Sequence, residues 1–304
     1  MKKLLPLLPY LLGWGLLVGT GSLSEISLIN GIAQLVLFLL VVCIPAWKTG
    51  RMSYVDIGWP WGLVVIGVMT LIFSEGHWLR TALVGGVYIF MGLRMGLGAL
   101  QLWKMGHLNT ELPRYQFQHR RWEKAGHVDK RFVMQVEVLL QGLANAAFLA
   151  MPAFVIANNQ SETVSMFEVV GLLIWLGAFI IESLSDTQKL AFLKDMRDKG
   201  LKNQVCNVGL WRYSRHPNYF AEWMVWNALI IASVPSWWAL QSVESTPVWI
   251  LLGLCLGFVS RIMYVTLVHY TGAKPAEFYS VQKRPDYKQY QQTTNMFFPG
   301  LPKT

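Results

Sequence analysis

The segment Val208–Ala228 reads VGLWRYSRHPNYFAEWMVWNA. Up to His216 it is polar and basic, with Arg212, Arg215 and His216 close together. From Pro217 the chain turns apolar and stays so through Ala239, interrupted early by Asn218, Tyr219 and Glu222. Proline suits the first turn of a helix, where its missing N–H leaves nothing unsatisfied. It also forces the residue before it, His216, toward an extended conformation. The spacing therefore predicts a helix over 217–239, long enough to cross a bilayer, with Asn218 and Glu222 on one face at i, i+4.

Working outward, apolar runs of similar length recur over 4–19, 28–46, 55–73, 79–100, 132–156, 164–185 and 247–270. Of the 304 residues, 54% are hydrophobic and 14% charged. A soluble domain carries about a quarter charged residues. The fold class is thus all-α: a polytopic helical membrane bundle of about 7–8 transmembrane helices with cytoplasmic polar loops. The opening MKKLLPLLPYLLGWGLLVGTGS has the outline of a signal peptide. It lacks a small-residue cleavage site and apolar character soon returns, so it reads as a retained first span.

The net charge of +9 does not call for nucleic acid in such a chain; it reports basic loops. One set of connections carries Lys48, Arg51, Lys104, Arg114, Arg120, Arg121, Lys124, Lys130 and Arg131, then Lys189 through Arg215 and the basic tail. The alternate set carries Glu25, Glu75, Glu162 and Glu244, with Arg80 its one cation. By the positive-inside rule both termini and the loops 101–131 and 186–216 are cytoplasmic. Within 186–216, KLAFLKDMRDKGLKNQ interleaves apolar residues and cations and reads as a helix lying at the membrane surface. Three separated cysteines and six scattered histidines form no disulfide framework or metal-ligand motif, so no metal is expected.

Ionisable residues inside spans are costly, and so mark function or internal pairing. Here they are Asp56, Arg94, Glu137, Glu182, Glu222 and Arg261, with Asp186 and His269 near span ends. Interhelical salt bridges, Arg94 with Asp56 or Arg261 with Glu222, are one account. A polar cavity open to the cytoplasm is the other. At Pro217 the helix N-terminus, Arg212, Arg215 and His216 favour an anion, and arginine grips phosphate bidentately. Asn218 and Glu222 offer an amide and an acceptor. Together they predict a phosphate-bearing, hydroxyl-rich ligand.

Three stretches, GLWRYSRHPNYFAEW, ESLSDTQKLAFLK and KRPDYKQYQQTTNMFFPG, resemble the C-terminal region of the steroid 5-alpha-reductase superfamily, most closely a bacterial branch of uncharacterised membrane reductases. SYVDIGWPWG and MGLRMGL resemble that branch more weakly. The RHPNY element is shared with sterol reductases and isoprenylcysteine carboxyl methyltransferases. The resemblance implies NADPH as cofactor and a hydride transferred to the C=C of a hydrophobic enone or similar lipid: a steroid, sterol or polyprenoid. It implies a substrate-side half over 1–130 and a cofactor-binding half over 131–304 within one continuous membrane domain. Carried over by motif, Asp186, Arg212, Tyr213, Arg215, His216, Asn218, Tyr219, Glu222 and Arg261 would bind the cofactor. In the family a carboxylate and a tyrosine polarise the substrate carbonyl. Asp56 can stand for the first. At the tyrosine position this chain has Met91, with Tyr88 one turn away, so Tyr88 and Tyr54 are the candidates for proton donor. A methyltransferase using S-adenosylmethionine, and a non-enzymatic lipid-binding or transport protein, are the alternatives.

Overall fold

The computed structural model describes residues 2–127 and 129–303. Among them no strand forms. Twelve α-helices carry the fold: α1 (Leu8–Val18), α2 (Ser24–Thr49), α3 (Val55–Phe73), α4 (Trp78–Lys104), α5 (Pro113–Lys124) and α6 (Lys130–Ala146), then α7 (Met151–Ala157), α8 (Met166–Asp198), α9 (Pro217–Ala239), α10 (Thr246–Val265), α11 (Ala273–Lys283) and α12 (Tyr287–Thr293). Counting α6–α7 and α10–α11 as continuous passages, seven are long and apolar enough to cross a membrane. This is an all-helical polytopic membrane bundle.

Three expectations change. The first apolar run is only a short helix, Leu4–Val18. Its fifteen residues reach about 22 Å, short of a hydrocarbon core of roughly 30 Å. The run over 132–156 breaks between α6 and α7, where Ala147 leaves helical geometry at φ −107°, ψ −93°. Pro152 explains the break, because it has no N–H to give back to the preceding turn. The expected surface helix after residue 186 is not separate. It is the end of α8, one helix of 33 residues, because neither glycine nor proline interrupts the chain between Gly177 and Gly200.

Two compact units emerge: Met1–Val169 with Ile230–Val259, and Val170–Leu229 with Ser260–Thr304. This differs from a division at residue 130, since α6 packs on α2 and α3.

In the first unit a buried polar knot joins α2, α3 and α6. Gln34 Nε2 donates to Asn30 Oδ1 (3.2 Å) and to the Gly62 carbonyl (2.8 Å), and Asn145 Nδ2 donates to the Trp59 carbonyl (3.1 Å). Without water, such groups must find partners inside the chain. Gly62 is small because any side chain there would run into the Asn145 and Gln34 amides. At the end bearing the acidic connections, Glu244 accepts from the Gly21 and Ser22 backbone and the Ser22 hydroxyl. Arg80, the lone cation of that set, is buried and bidentate to Glu168 at 2.5 and 3.1 Å. It also donates to the Ser161 and Thr163 carbonyls.

Candidate functional site

In the second unit the site is built on the loop that leads into α9. Gly209, at φ +52°, turns this loop. The Leu210 N–H then reaches Gln188 Oε1 at 2.8 Å and Trp211 Nε1 reaches the Ser185 carbonyl at 2.9 Å. Both anchors lie on α8. Lys189, also on α8, sits 4.3 Å over the Trp211 ring. From the other side the C-terminal segment runs along the loop. Arg215 N–H donates to the Asn295 carbonyl (2.9 Å), Ser214 Oγ to the Phe297 carbonyl (2.9 Å), and Gly300 N–H to the Tyr213 carbonyl (3.0 Å). Phe297 and Phe298 then enter an aromatic cluster with Phe220, Trp223 and Tyr264. Residues 295–300 near the end of the sequence thus fix a loop some eighty residues earlier.

Arg215 and His216 differ from their expected role as phosphate contacts. Arg215 is buried, and its fork is occupied: Nε to Glu277 Oε1 at 2.7 Å, Nη2 to Oε2 at 3.1 Å, and Nη1 to the carbonyls of Gln291 and Thr294. His216 Nε2 lies 3.2 Å from the same Glu277 oxygen, and its ring stacks on Tyr219 at 5.3 Å. Burial pulls the imidazole below its ordinary proton affinity, although Glu277 pulls the other way. The ring is therefore neutral at pH 7. Gln291 Nε2 completes the set on Glu277 at 2.7 Å. Sequence reasoning missed Glu277. Its one local signal is a lone carboxylate in α11, which the structure buries to 7% exposure.

Asp186 and Asn218 do come together. Asn218 Nδ2 donates to Asp186 Oδ1 at 3.0 Å, which turns the amide oxygen the other way. That oxygen is buried and has no partner. A buried acceptor left unmade costs about 1–3 kcal/mol, so the position is suited to a ligand N–H or hydroxyl. Arg212 and Tyr213 are exposed beside it in sequence. Arg212 makes one long bond, 3.4 Å, to the Asn207 carbonyl. Tyr219 and Glu222 are half-buried, and Arg261 is exposed on α10. Arg261 forms no ion pair among the described residues, so the Arg261–Glu222 bridge is not made. Among these residues the Asn218 amide is oriented with its oxygen buried, and the guanidinium groups of Arg212 and Arg261 are exposed.

In the first unit three carboxylates hold α5. Asp56 Oδ1 accepts from the Tyr115 hydroxyl at 2.5 Å, and Oδ2 pairs with Arg114. Glu137 takes both Gln118 Nε2 contacts, at 2.8 and 2.9 Å, and Trp122 Nε1 at 2.6 Å. Glu111 accepts from the Met52 N–H at 2.6 Å and from Ser53, and His119 Nε2 lies 3.2 Å away. Burial alone would raise the Glu111 carboxyl. These hydrogen bonds outweigh it and hold the group below the usual carboxylate range. The charge near the start of α3 is thus partnered, but by α5 and not by Arg94.

Tyr88 is fully buried and donates to the Leu149 carbonyl at 2.7 Å. That carbonyl lies in the break between α6 and α7, where a helix bond is missing. The tyrosine that touches Asp56 is Tyr115. Burial first, then the Asp56 charge, raises its hydroxyl well above the ordinary tyrosine value, so it stays protonated. Sequence reasoning missed the Tyr115–Asp56 contact, because Tyr115 lies in a polar loop where nothing local marks a partner.

Over residues 42–294 the chain matches the family described as "Protein of unknown function (DUF1295)". No curated protein and no solved structure matches it significantly.

Proposed function

The chain belongs to the DUF1295 family, and we propose that it is a membrane reductase of the steroid 5-alpha-reductase kind, using NADPH on the C=C of a hydrophobic enone or related lipid. The observation that carries this reading is Asn218, oriented by Asp186 with a buried, unpartnered amide oxygen. Such an oxygen would accept from an N–H or a ribose hydroxyl of the cofactor. Arg212 and Arg261 would meet its phosphates, since Arg215 is engaged by Glu277. When bound, NADPH supplies a hydride. We further propose that the basic connections lie on the cytoplasmic side, where the cofactor is found.

One observation favours the methyltransferase reading. With Arg215 and His216 engaged by Glu277, fewer cations remain for phosphate than the RHPNY element promised, and S-adenosylmethionine carries none. Titration of the purified protein in detergent with NADPH, NADH and S-adenosylmethionine separates the two. Saturable NADPH binding, lost in Asn218→Ala, is the expected result. Binding of S-adenosylmethionine with neither nicotinamide would overturn the reductase.

A further inference from the structure

A groove of about 540 Å³ lies between α2, α3 and α4 of the first unit, walled by Leu37, Val41, Ile57, Val65, Met69 and Leu100. Almost no polar surface faces it. It runs beside α3 from Ile57 to Met69, twelve residues and about 18 Å. That is close to the depth of one leaflet, half of a core of roughly 30 Å.

One end of the groove is different. Tyr54 closes it, and its hydroxyl accepts from Arg51 Nη2 at 2.9 Å. Arg51 Nε is buried and makes no hydrogen bond, while the guanidinium lies 5.6 Å from the centroid of the Tyr54 ring. A buried donor of a charged group without an acceptor is strongly unfavourable. On α2 the groove stripe Leu37, Val41, Pro45 continues at i+3 into Lys48; on α4, Leu100 continues at i+4 into Lys104. Residues so spaced share a helix face. Both lysines are exposed. The nearby carboxylates are occupied: Asp56 by Arg114 and Tyr115, Glu111 by Met52, Ser53 and His119. Three cations therefore stand at the mouth of a one-leaflet apolar slot.

We propose that this groove seats an acyl chain of a phospholipid with a net negative headgroup, its phosphate accepting from Arg51 and its charge met by Lys48 and Lys104. The depth selects a lipid of one leaflet, and the unpartnered Arg51 Nε selects an anionic acceptor at its head. The inference concerns α2–α4 alone and does not rest on the reductase reading.

The full chain in nonionic detergent, given equal amounts of dioleoyl phosphatidylglycerol and dioleoyl phosphatidylcholine, should retain the anionic lipid at least fivefold over the other by native mass spectrometry. Arg51→Gln should bring the two lipids to parity. As a second measurement, trace brominated-chain phosphatidylglycerol in phosphatidylcholine vesicles should quench tryptophan fluorescence. Trp61 and Trp103 line the groove, so Trp61→Phe with Trp103→Phe should clearly reduce that quenching. Equal retention of the two lipids by the wild type, unchanged selectivity in Arg51→Gln, or quenching undiminished in the double variant would each overturn the proposal.

Discussion

Arg215 and Glu277 stand 62 residues apart in sequence and 2.7 Å apart in space, joined by a two-pronged ion pair buried from solvent. Through it, α11 and α12 hold the loop that opens α9. Removing one partner of a buried pair strands the other charge, at a cost of about 3–5 kcal/mol. Glu277→Ala should therefore lower the thermal midpoint in detergent far more than the double variant with Arg215→Met does. A loss in the double variant equal to the sum of the two single losses would show that the pair is not coupled.

His216 gives that same region a pH dependence. In the folded chain its proton affinity is lowered by burial; unfolded, it titrates near 6.5. Between the lowered folded value and 6.5 the unfolded chain binds the extra proton, so stability rises with pH across that window and is level above it. The unfolding midpoint should fall as pH drops from 7 toward 5, and His216→Gln should flatten that fall. Glu111, lowered below the usual 4.5, adds its own loss only at more acid pH. A slope unchanged in His216→Gln would assign the effect elsewhere.

Tyr115 and Tyr88 each tie one helix to another part of the first unit. Tyr115→Phe removes the hydroxyl that donates to Asp56 and should destabilise the fold by about 1–3 kcal/mol. Tyr88→Phe strands the Leu149 carbonyl and should cost a similar amount. Thermal melting in detergent measures both, and an unchanged midpoint in either variant would show that its hydrogen bond does not hold the fold.

The two arginines of the loop should also separate. Arg212→Ala should weaken NADPH binding by about 1.5–3 kcal/mol, the range for a hydrogen bond to a charged group. Lys at that position should recover part, keeping charge but losing the fork. Arg215→Ala should appear first as lost stability. Isothermal titration beside thermal melting distinguishes them: full affinity in folded Arg212→Ala would remove it from the phosphate site.

Topology can be read by single-cysteine labelling from outside the cell. Positions near Glu162 and Glu244 should label, and positions near Lys124 should not. Strong external labelling at Lys124 would invert the orientation.

Spans are legible in the sequence because hydrophobic length is a local quantity: the apolar runs over 55–73 and 217–239 coincide with α3 and α9. Pro217 fixed the start of α9 through the geometry of its own ring. Asp186 and Asn218 were singled out and do meet. Partnerships were another matter. Nothing in SRHPNY reveals that Arg215 faces Glu277, that Asp56 faces Arg114 and Tyr115, or that Tyr88 closes a broken helix. A charge placed against an apolar run announces only that it must be satisfied. Which group satisfies it depends on how helices far apart in sequence come together, and only the tertiary structure decides that.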